Sequence, residues 1–517
     1  MRRQGRGSRP TGADPTCRGD AGGRVSDAPL PIPGVMNRIA CFRPVAAKAM
    51  AAAAFALGLS GCILPRDLPD PALDIPTRYG APHVVAPKDL PKLDWWRGFR
   101  SPELTALMEE AQAANLDIAA AAARIRQADA QARIAGAALL PVLSAGDQAT
   151  RSRTSGSSSS GLTISGREVT NYSASLSASY EIDFWGKNRD AALAAEETAT
   201  STRFDRDVLT LTTLTSVANA YFQVLASQDR IRTANRNIAA ARRILGAIRA
   251  RLQAGTGTDL DVAQQESVLA NQRAAVPPLR QTLAQNPNAL ATLVARPPES
   301  IRVKGGSLGA LAVPRVSPGL PSELLTQRPD IRRQEAALAA ATANIGNARA
   351  QFFPSIKLTG QGGYQSAALV ALFSPQAAFF SLAAGLTQPI FDGGALRGNF
   401  ENVKARQDEL LQTYRQTVVT AFADVDNALV ALRQTTERLR LQHQVVVASR
   451  RAFDLSEQRL RAGTTDIVTV LNTQSTLFQA EDALLQARLA RFLAIVGLYQ
   501  ALGGGWEPKA ERPVDAL

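Results

Sequence analysis

YSASLSASYEIDFW, residues 172–185, alternates from Tyr172 to Phe184. Tyr172, Ala174, Leu176, Ala178, Tyr180, Ile182 and Phe184 fall on one side; Ser173, Ser175, Ser177, Ser179, Glu181 and Asp183 fall on the other. Side chains on a strand switch faces at every residue, so the stretch predicts a strand with one apolar and one wet face. Soluble strands usually run about 3–10 residues. A longer alternating run with aromatic residues at both ends suits a strand that crosses lipid with its polar face inward.

The pattern recurs further on, where Phe380, Leu382, Ala384, Leu386 and Ile390 are interleaved with Ser381, Ala383, Gly385 and Thr387. Weaker strands are expected after Pro141 and Pro354. The serine-rich run from Arg151 to Gly161 would join the first pair and the run from Ser366 to Pro375 the second; both loops are placed outside the cell. Flanking landmarks repeat with a period of about 210 residues. Leu116-Asp117-Ile118 answers to Pro329-Asp330-Ile331, and Ala138-Leu139-Leu140-Pro141 to Gln351-Phe352-Phe353-Pro354. Asp183-Phe184-Trp185-Gly186 answers to Ile390-Phe391-Asp392-Gly393, and Arg251 to Gly255 answers to Arg459 to Gly463. Four correspondences in one order indicate a duplication.

Proline is absent from Gly186 to Ala254 and from Gly394 to Ala462. Either stretch would reach about 100 Å if wholly helical, at about 1.5 Å per residue. Leu209, Leu211, Leu214, Val217, Tyr221, Val224 and Leu225 keep helical spacing, as do Val418, Phe422, Val425, Leu429 and Leu432. Each rod stops at a glycine turn, Gly255-Thr256-Gly257 or Gly463-Thr464-Thr465, and a second helix returns. Four strands per chain cannot close a barrel, and an open sheet edge cannot face lipid. Three copies would supply about twelve strands, within the range of membrane barrels; two would supply about eight, a size normally filled with side chains. The expected fold class is therefore mainly α with a small membrane β part. It comprises a trimeric 12-stranded β-barrel, four strands per chain, continued by a long α-helical barrel of antiparallel coiled-coil hairpins, with two internal structural repeats.

The chain has 517 residues and a formal charge of +13. Residues 1–61 carry six of those surplus charges, and the rest lie among Asp and Glu on amphipathic stretches. With no recognition helix or aromatic-rich basic platform, nucleic acid is not an expected partner. From Met36, Arg38, Arg43 and Lys48 precede the short apolar run Ala49 to Gly58, and Leu59-Ser60-Gly61-Cys62 follows. The run is too short to span a membrane and has the layout of a signal peptide. Leu-Ser-Gly-Cys resembles a bacterial lipobox, which implies cleavage between Gly61 and Cys62 and lipidation of Cys62 by diacylglycerol and an N-acyl chain. Translation is expected to start at Met36. Ile63, in place of Asp, favours outer-membrane sorting by the same resemblance. Cys17, Cys41 and Cys62 are the three cysteines, so a chain starting at Cys62 has no internal disulfide.

Several segments together resemble the TolC-like outer-membrane efflux family, in particular its NodT-type lipoproteins of resistance-nodulation-division (RND) multidrug efflux systems. They are Leu325 to Ile331 (LTQRPDI), Ile345 to Ala350 leading to Phe353-Pro354, Pro389 to Gly394 (PIFDGG), and Leu502 to Trp506 (LGGGW). With the lipobox they span nearly all of residues 62–506. The resemblance implies a homotrimer in the outer membrane whose helical tunnel crosses the periplasm to a closed tip. There a periplasmic membrane-fusion adaptor protein joins it to an inner-membrane RND-type pump. The expected segments are 1–61 (extension and signal peptide), 62–102 (Pro-rich, lipid-anchored lead), 103–300 (first efflux repeat), 301–321 (linker), 322–506 (second repeat) and 507–517 (tail).

Arg251, Leu252, Gly255, Arg459, Leu460 and Gly463 match the family's hairpin tips, where adaptors dock; the glycines also suit plain helix capping. Past the second tip, family members commonly carry acidic residues that ring the aperture, but here the matching positions are Thr469 and Asn472. Asp259, Asp261 and Asp466 are the nearby carboxylates, so the candidate gate is Asp259, Asp261, Asp466, Thr469 and Asn472. Asp259 or Asp466 could equally be N-caps, and weak ion selectivity is expected. Pro277-Pro278 and Pro287 fall where the family continues a helix, which points to local displacement or disorder there.

No nucleophile elbow, phosphate loop or metal-spaced cluster occurs. No catalysis, metal or cofactor is expected beyond the lipid on Cys62. The expected function is passive conduction from pump and adaptor to the exterior. A type I protein secretion or metal-ion export duct would share the architecture. A structural periplasmic coiled-coil lipoprotein without a pore would have no use for paired strands.

Overall fold

The structure, a computed structural model, describes residues 69–76, 79–80, 92–153, 168–316, 319 and 321–507. The signal peptide, the Met36 start, Gly61, Cys62 and most of the serine-rich loop lie outside the described residues.

Helix α1 (Pro102–Ala114) and α2 (Leu116–Ala137) lead into strands β1 (Val142–Arg153) and β2 (Glu168–Ile182). The rod α3 (Lys187–Gln253) follows, and α4 (Asp259–Ala274) and α5 (Val276–Leu293) return. The second repeat has α6 (Pro321–Gln327), α7 (Pro329–Ala350), β3 (Ser355–Ser366), β4 (Ala378–Thr387), the rod α8 (Ala395–Arg461) and the returning α9 (Ile467–Ala501). The duplication holds closely in the helices: α2 and α7 have 22 residues each, and α3 and α8 have 67 each. Gly186 and Gly394 open the two rods at φ 81° and 90°, a left-handed backbone that glycine adopts without a Cβ clash. A nearby carboxylate satisfies the free amides of each first turn. Asp183 accepts from Asn188 N (3.0 Å) and Arg189 N (2.7 Å), and Asp392 from Gly394 N (2.9 Å) and Leu396 N (2.7 Å). The amides of Leu396 and then Gly394 hold the Asp392 carboxyl below its ordinary range.

The strands form one antiparallel sheet in the order β1-β2-β3-β4. Its register sorts side chains as the alternation predicted. Leu143, Ala178, Gly360 and Leu382 share a row, as do Ala145, Leu176, Gly362 and Phe380, and all lie on the apolar face. The opposite face carries Ser144, Ser177, Gln361 and Ser381 in one such row. Asp147, in register with Ala174, is charged within the apolar face, and Arg151, Arg153 and Glu168 are charged at its outer end. The predicted strand ends early, however: β2 stops at Ile182, and Trp185 turns back to stack on Phe353 (4.6 Å) and donate from Nε1 to Pro354 O (2.9 Å). An indole N–H shielded from water needs an acceptor, and for half-buried Trp185 the carbonyl of Pro354 supplies it. Ile390 likewise lies past the end of β4 and is 89% exposed.

Where the helices of the two repeats meet at mid-height, Trp95, Trp96, Phe99, Leu104, Met108, Phe222, Leu225, Leu290, Phe492 and Tyr499 form the largest core. Trp95 stacks on Tyr499 at 4.9 Å, and Phe99 is fully buried. Burial of one such side chain is worth about 1.5–3 kcal/mol. The end of the segment read as a lead is therefore a core element. Pro71 accepts from Arg415 Nε at 2.7 Å, and buried Tyr79 packs with Val418 and Val425, so these described parts of the lead lie against α8.

The prolines of the first return correct the expected displacement. Pro277 and Pro278 sit in the first turn of α5, where an amide has no helical partner to lose. Pro287 lies inside α5, yet the helix runs on to Leu293. Leu290, Ala291 and Val294 pack into the core there, and Asn286 Nδ2 donates to Thr282 O at 2.7 Å. Tertiary packing overrides an interior-proline cost of about 3 kcal/mol. The two returns keep matched limits, residues 259–293 against 467–501.

Candidate functional site

The polar face of the sheet is a wall of hydroxyls and amides. Ser144 and Ser177 share a hydrogen bond of 2.7 Å, and Gln361 Nε2 donates to Ser175 Oγ at 3.1 Å. Glu181 and Lys357 stand opposite each other in register, and Glu181 also pairs with Lys187. Within the paired rows these are the two charged side chains on that face, with opposite signs. A wall of this kind hydrogen-bonds water and polar solutes without sorting them by net charge.

Far from the sheet, both hairpins end in the same turn. Gly255 N donates to Leu252 O (3.0 Å) and Thr256 N to Arg251 O (2.9 Å); Gly463 N donates to Leu460 O (3.1 Å) and Thr464 N to Arg459 O (2.9 Å). This is the double Schellman bond that closes a helix through a left-handed glycine, and φ is 72° at both. A Cβ at either glycine would meet nothing within 4 Å, so conformation and not crowding calls for glycine. Arg251 and Arg459 are exposed, and Leu252 and Leu460 half-buried.

The carboxylates beyond the tips separate into two kinds. Thr258 caps α4 by accepting from Asp261 N (3.2 Å), and the Asp261 carboxylate accepts from Thr258 N (2.9 Å), a reciprocal capping box. In the second hairpin the same pair is exchanged: Asp466 caps α9 by accepting from Thr469 N at 2.7 Å. Hydrogen bonds from the Thr469 hydroxyl and then its amide hold the Asp466 carboxyl below its ordinary value. The capping expected of Asp259 or Asp466 falls to Asp466, and in the first hairpin to Thr258 with Asp261. Asp259 is exposed at the first helical position, with no hydrogen-bond or salt-bridge partner among the described residues. Asn472 is exposed one turn further on, where its carbonyl accepts from Thr476.

Near the tips the hairpins are packed together by Ile244, Ile248, Ile467, Val470 and Leu471. A second apolar cluster lies further up, with Ile238, Leu245, Leu269 and Phe478. Along the returning helices, fully buried Gln265 and Gln474 fall between the two. Gln265 Nε2 donates to Ala241 O at 2.9 Å, but among the described residues Gln265 Oε1 and both polar atoms of Gln474 have no partner. Sequence reading missed this layer, although glutamine at a core-facing position of an amphipathic helix was its visible sign. Arg230 fastens α3 to α9 through Asp482 (2.6 and 2.9 Å). It also missed the Arg328 clamp: the guanidinium, 11% exposed, holds Asp330 (2.6 Å), Asp424 (3.2 Å) and the Ala501 carbonyl (3.2 Å).

Comparison with known proteins matches this arrangement. The family model described as outer membrane efflux protein fits twice, over residues 107–296 and 320–504. The pyoverdine export outer membrane protein OpmQ of Pseudomonas aeruginosa is 44% identical over 416 residues, 80% of this chain and 87% of its own. The toluene efflux pump outer membrane protein TtgC of Pseudomonas putida is 32% identical over 467 residues, 88% of this chain and 95% of its own. Among solved structures, the outer-membrane channel OprN superposes with a TM-score of 0.80 at 28% identity, covering 86% of this chain and 99% of that one. The open state of the Neisseria gonorrhoeae MtrE outer membrane channel gives 0.77 at 30% identity, covering 87% and 99%.

Proposed function

The chain belongs to the outer membrane efflux protein family, and from that premise we propose how its geometry serves export. It is the outer-membrane channel component of an efflux system, a transport protein located in the outer membrane. The observation that carries the reading is the two-faced, four-stranded sheet, whose outer strands β1 and β4 have no further partner among the described residues. Hydrocarbon offers no hydrogen bonds to a bare strand edge, so each β1 pairs with the β4 of a sister chain. Three chains close a barrel of about twelve strands and join their rods into one tunnel.

The rods carry the same logic. Of 67 residues, α3 buries 25 and α8 buries four: Val418, Ala421, Val425 and Ser456. Val419, Val430 and Leu441 stay exposed on α8 at intervals of eleven residues. An eleven-residue interval is about three turns and makes a nearly straight apolar stripe. That stripe is the face offered to the neighbouring subunit. The tips at Gly255 and Gly463 receive a periplasmic adaptor, which links them to an inner-membrane pump of the RND type. Cys62, freed by cleavage after Gly61, carries the lipid. One acyl chain anchors weakly, whereas the two or three on such a cysteine hold a protein at the membrane.

Reconstitution in planar bilayers tests the conduit. Purified protein should migrate as a trimer in mild detergent and conduct; a monomer without conductance would end the reading. Substrate assays on a deletion strain begin with the substrates named for the relatives, pyoverdine and toluene.

A further inference from the structure

The connection between β3 and β4 is apolar where an aqueous loop would be polar. Leu369 is 64% exposed, Val370 97% and Phe373 73%, while Leu372 between them is buried. Two short 3-10 turns, Leu369–Ala371 and Pro375–Ala377, hold the segment in shape. Three large exposed apolar side chains within five residues cost solvation unless something apolar covers them.

Register identifies the side on which this turn lies. Phe373 packs edge-on against Tyr364 with ring centroids 5.6 Å apart. Tyr364 pairs with Ala174 on one side and Ala378 on the other, which puts it on the face of Leu176, Leu358 and Phe380. That face is the apolar one, opposite the Ser144–Ser177–Gln361 wall. The turn is therefore fastened to the outside of the barrel wall.

Its height also fits. From Ile356 to Tyr364 the apolar face of β3 spans eight residue steps, about 27 Å at about 3.4 Å per step. A strand tilt of about 40° reduces that to about 21 Å along the membrane normal, against an apolar band about 25 Å tall. Tyr364 thus lies at the outer border of the hydrocarbon, and the turn continues the apolar face from there. The Arg151–Glu168 ion pair (2.6 Å) lies on the same face, running diagonally between the two rows beyond Ala149 and Tyr172 toward the strand ends. A surface ion pair there suits the polar layer above the acyl chains.

We propose that the β3–β4 turn is a membrane anchor, with Leu369, Val370 and Phe373 inserted among the acyl chains of the outer leaflet. The occupant is lipid because the turn continues a lipid-facing surface through the Tyr364–Phe373 contact. The proposal rests on the barrel reading above. Three turns per trimer would grip the outer leaflet while the lipid on Cys62 grips the inner one.

Site-directed spin labelling in proteoliposomes tests it, with single cysteines replacing Val370, Leu382 and Ser381 and the native thiol blocked by its lipid thioether or by Cys62→Ser. Leu382 and Ser381 are references on the apolar and polar faces. Collision with oxygen relative to a water-soluble nickel chelate should be several-fold higher at 382 than at 381, and 370 should match 382. If 382 and 381 differ but 370 behaves like 381, the turn faces water or the lumen and the anchor is wrong while the barrel stands. If 370 is shielded from both reagents, a neighbouring subunit covers it and the anchor is again wrong. Loss of the contrast between 382 and 381 would overturn the barrel itself. As a second readout, Val370→Ser with Phe373→Ser should lower the melting temperature in lipid vesicles but not in detergent, with conductance unchanged; an equal drop in both would also overturn the anchor.

Discussion

Thr258 and Asp466 cap the two returns, each accepting from the amide three residues on, and Asp261 is tied back to Thr258, which leaves Asp259 beside the tips as a carboxylate without a partner among the described residues. The two kinds of aspartate should respond differently to removal of charge. Asp259→Asn should weaken whatever cation preference the channel has and leave its melting temperature unchanged, as read by reversal potential and thermal unfolding. Asp466→Asn should lower the melting temperature and barely alter selectivity. Its folded carboxyl lies below the ordinary value of 3.8, so the stabilisation is fully present above that pH and is lost as pH falls through the depressed value. The melting difference between wild type and Asp466→Asn should therefore be full at neutral pH and shrink on acidification below about 4. Gly463→Ala, at φ 72°, should cost about 1–2 kcal/mol with no change of contacts, because a Cβ there meets only open space. Arg459→Glu, by contrast, should weaken adaptor binding in a pull-down and leave unfolding unaffected.

Strands and rods were legible in the sequence because each obeys one period: alternation from Tyr172 to Ile182 and helical spacing along Leu214, Val217 and Tyr221. Their ends were less so. Phe184 continues the alternation past Ile182, but the indole of Trp185 finds the Pro354 carbonyl only once the second repeat is folded beside the first. The continuity of the helix through Pro287 was not legible for a similar reason, since the packing that keeps α5 intact comes from Leu290 and Val294 against distant aromatics. The candidate tips could be located through their glycines, whereas Gln265 and Gln474 gave no motif, and their cost becomes visible only when burial is known. An unmet buried amide costs about 1–3 kcal/mol. Gln474→Leu should therefore raise the melting temperature and reduce open-channel activity, because it removes the weak layer between two apolar clusters; a stabilised variant that conducts normally would show that the layer has no part in opening. Pro287→Ala should also stabilise, by up to about 3 kcal/mol, without touching conductance.

At the scale of the whole molecule, one chain leaves much of its apolar and strand-edge surface uncovered. A rod with four buried residues of 67 and a sheet whose two edges have no partner among the described residues are poor structures for a solitary protein in lipid or water. Val430→Asp or Leu441→Glu, in the middle of the straight stripe on α8, should convert the trimer to monomer in detergent, as measured by light scattering. The same substitution at exposed Arg397 should leave assembly intact. The oligomer was inferable from strand number, but the interface that holds the rods was not, because an exposed valine every third turn has the same local pattern as a buried one.

The equality of the two tips has a consequence for stoichiometry. Matching residues in the two rods lie 208 positions apart from first to last, so each chain presents two nearly identical turns at one level. Three chains then present six. A partner that recognises only the shared Arg-Leu-x-Ala-Gly-Thr turn would seat in six copies, whereas one that reads Asp259, whose counterpart is the buried Ile467, would stop at three. The mass of the isolated complex therefore reports which part of the turn the partner reads.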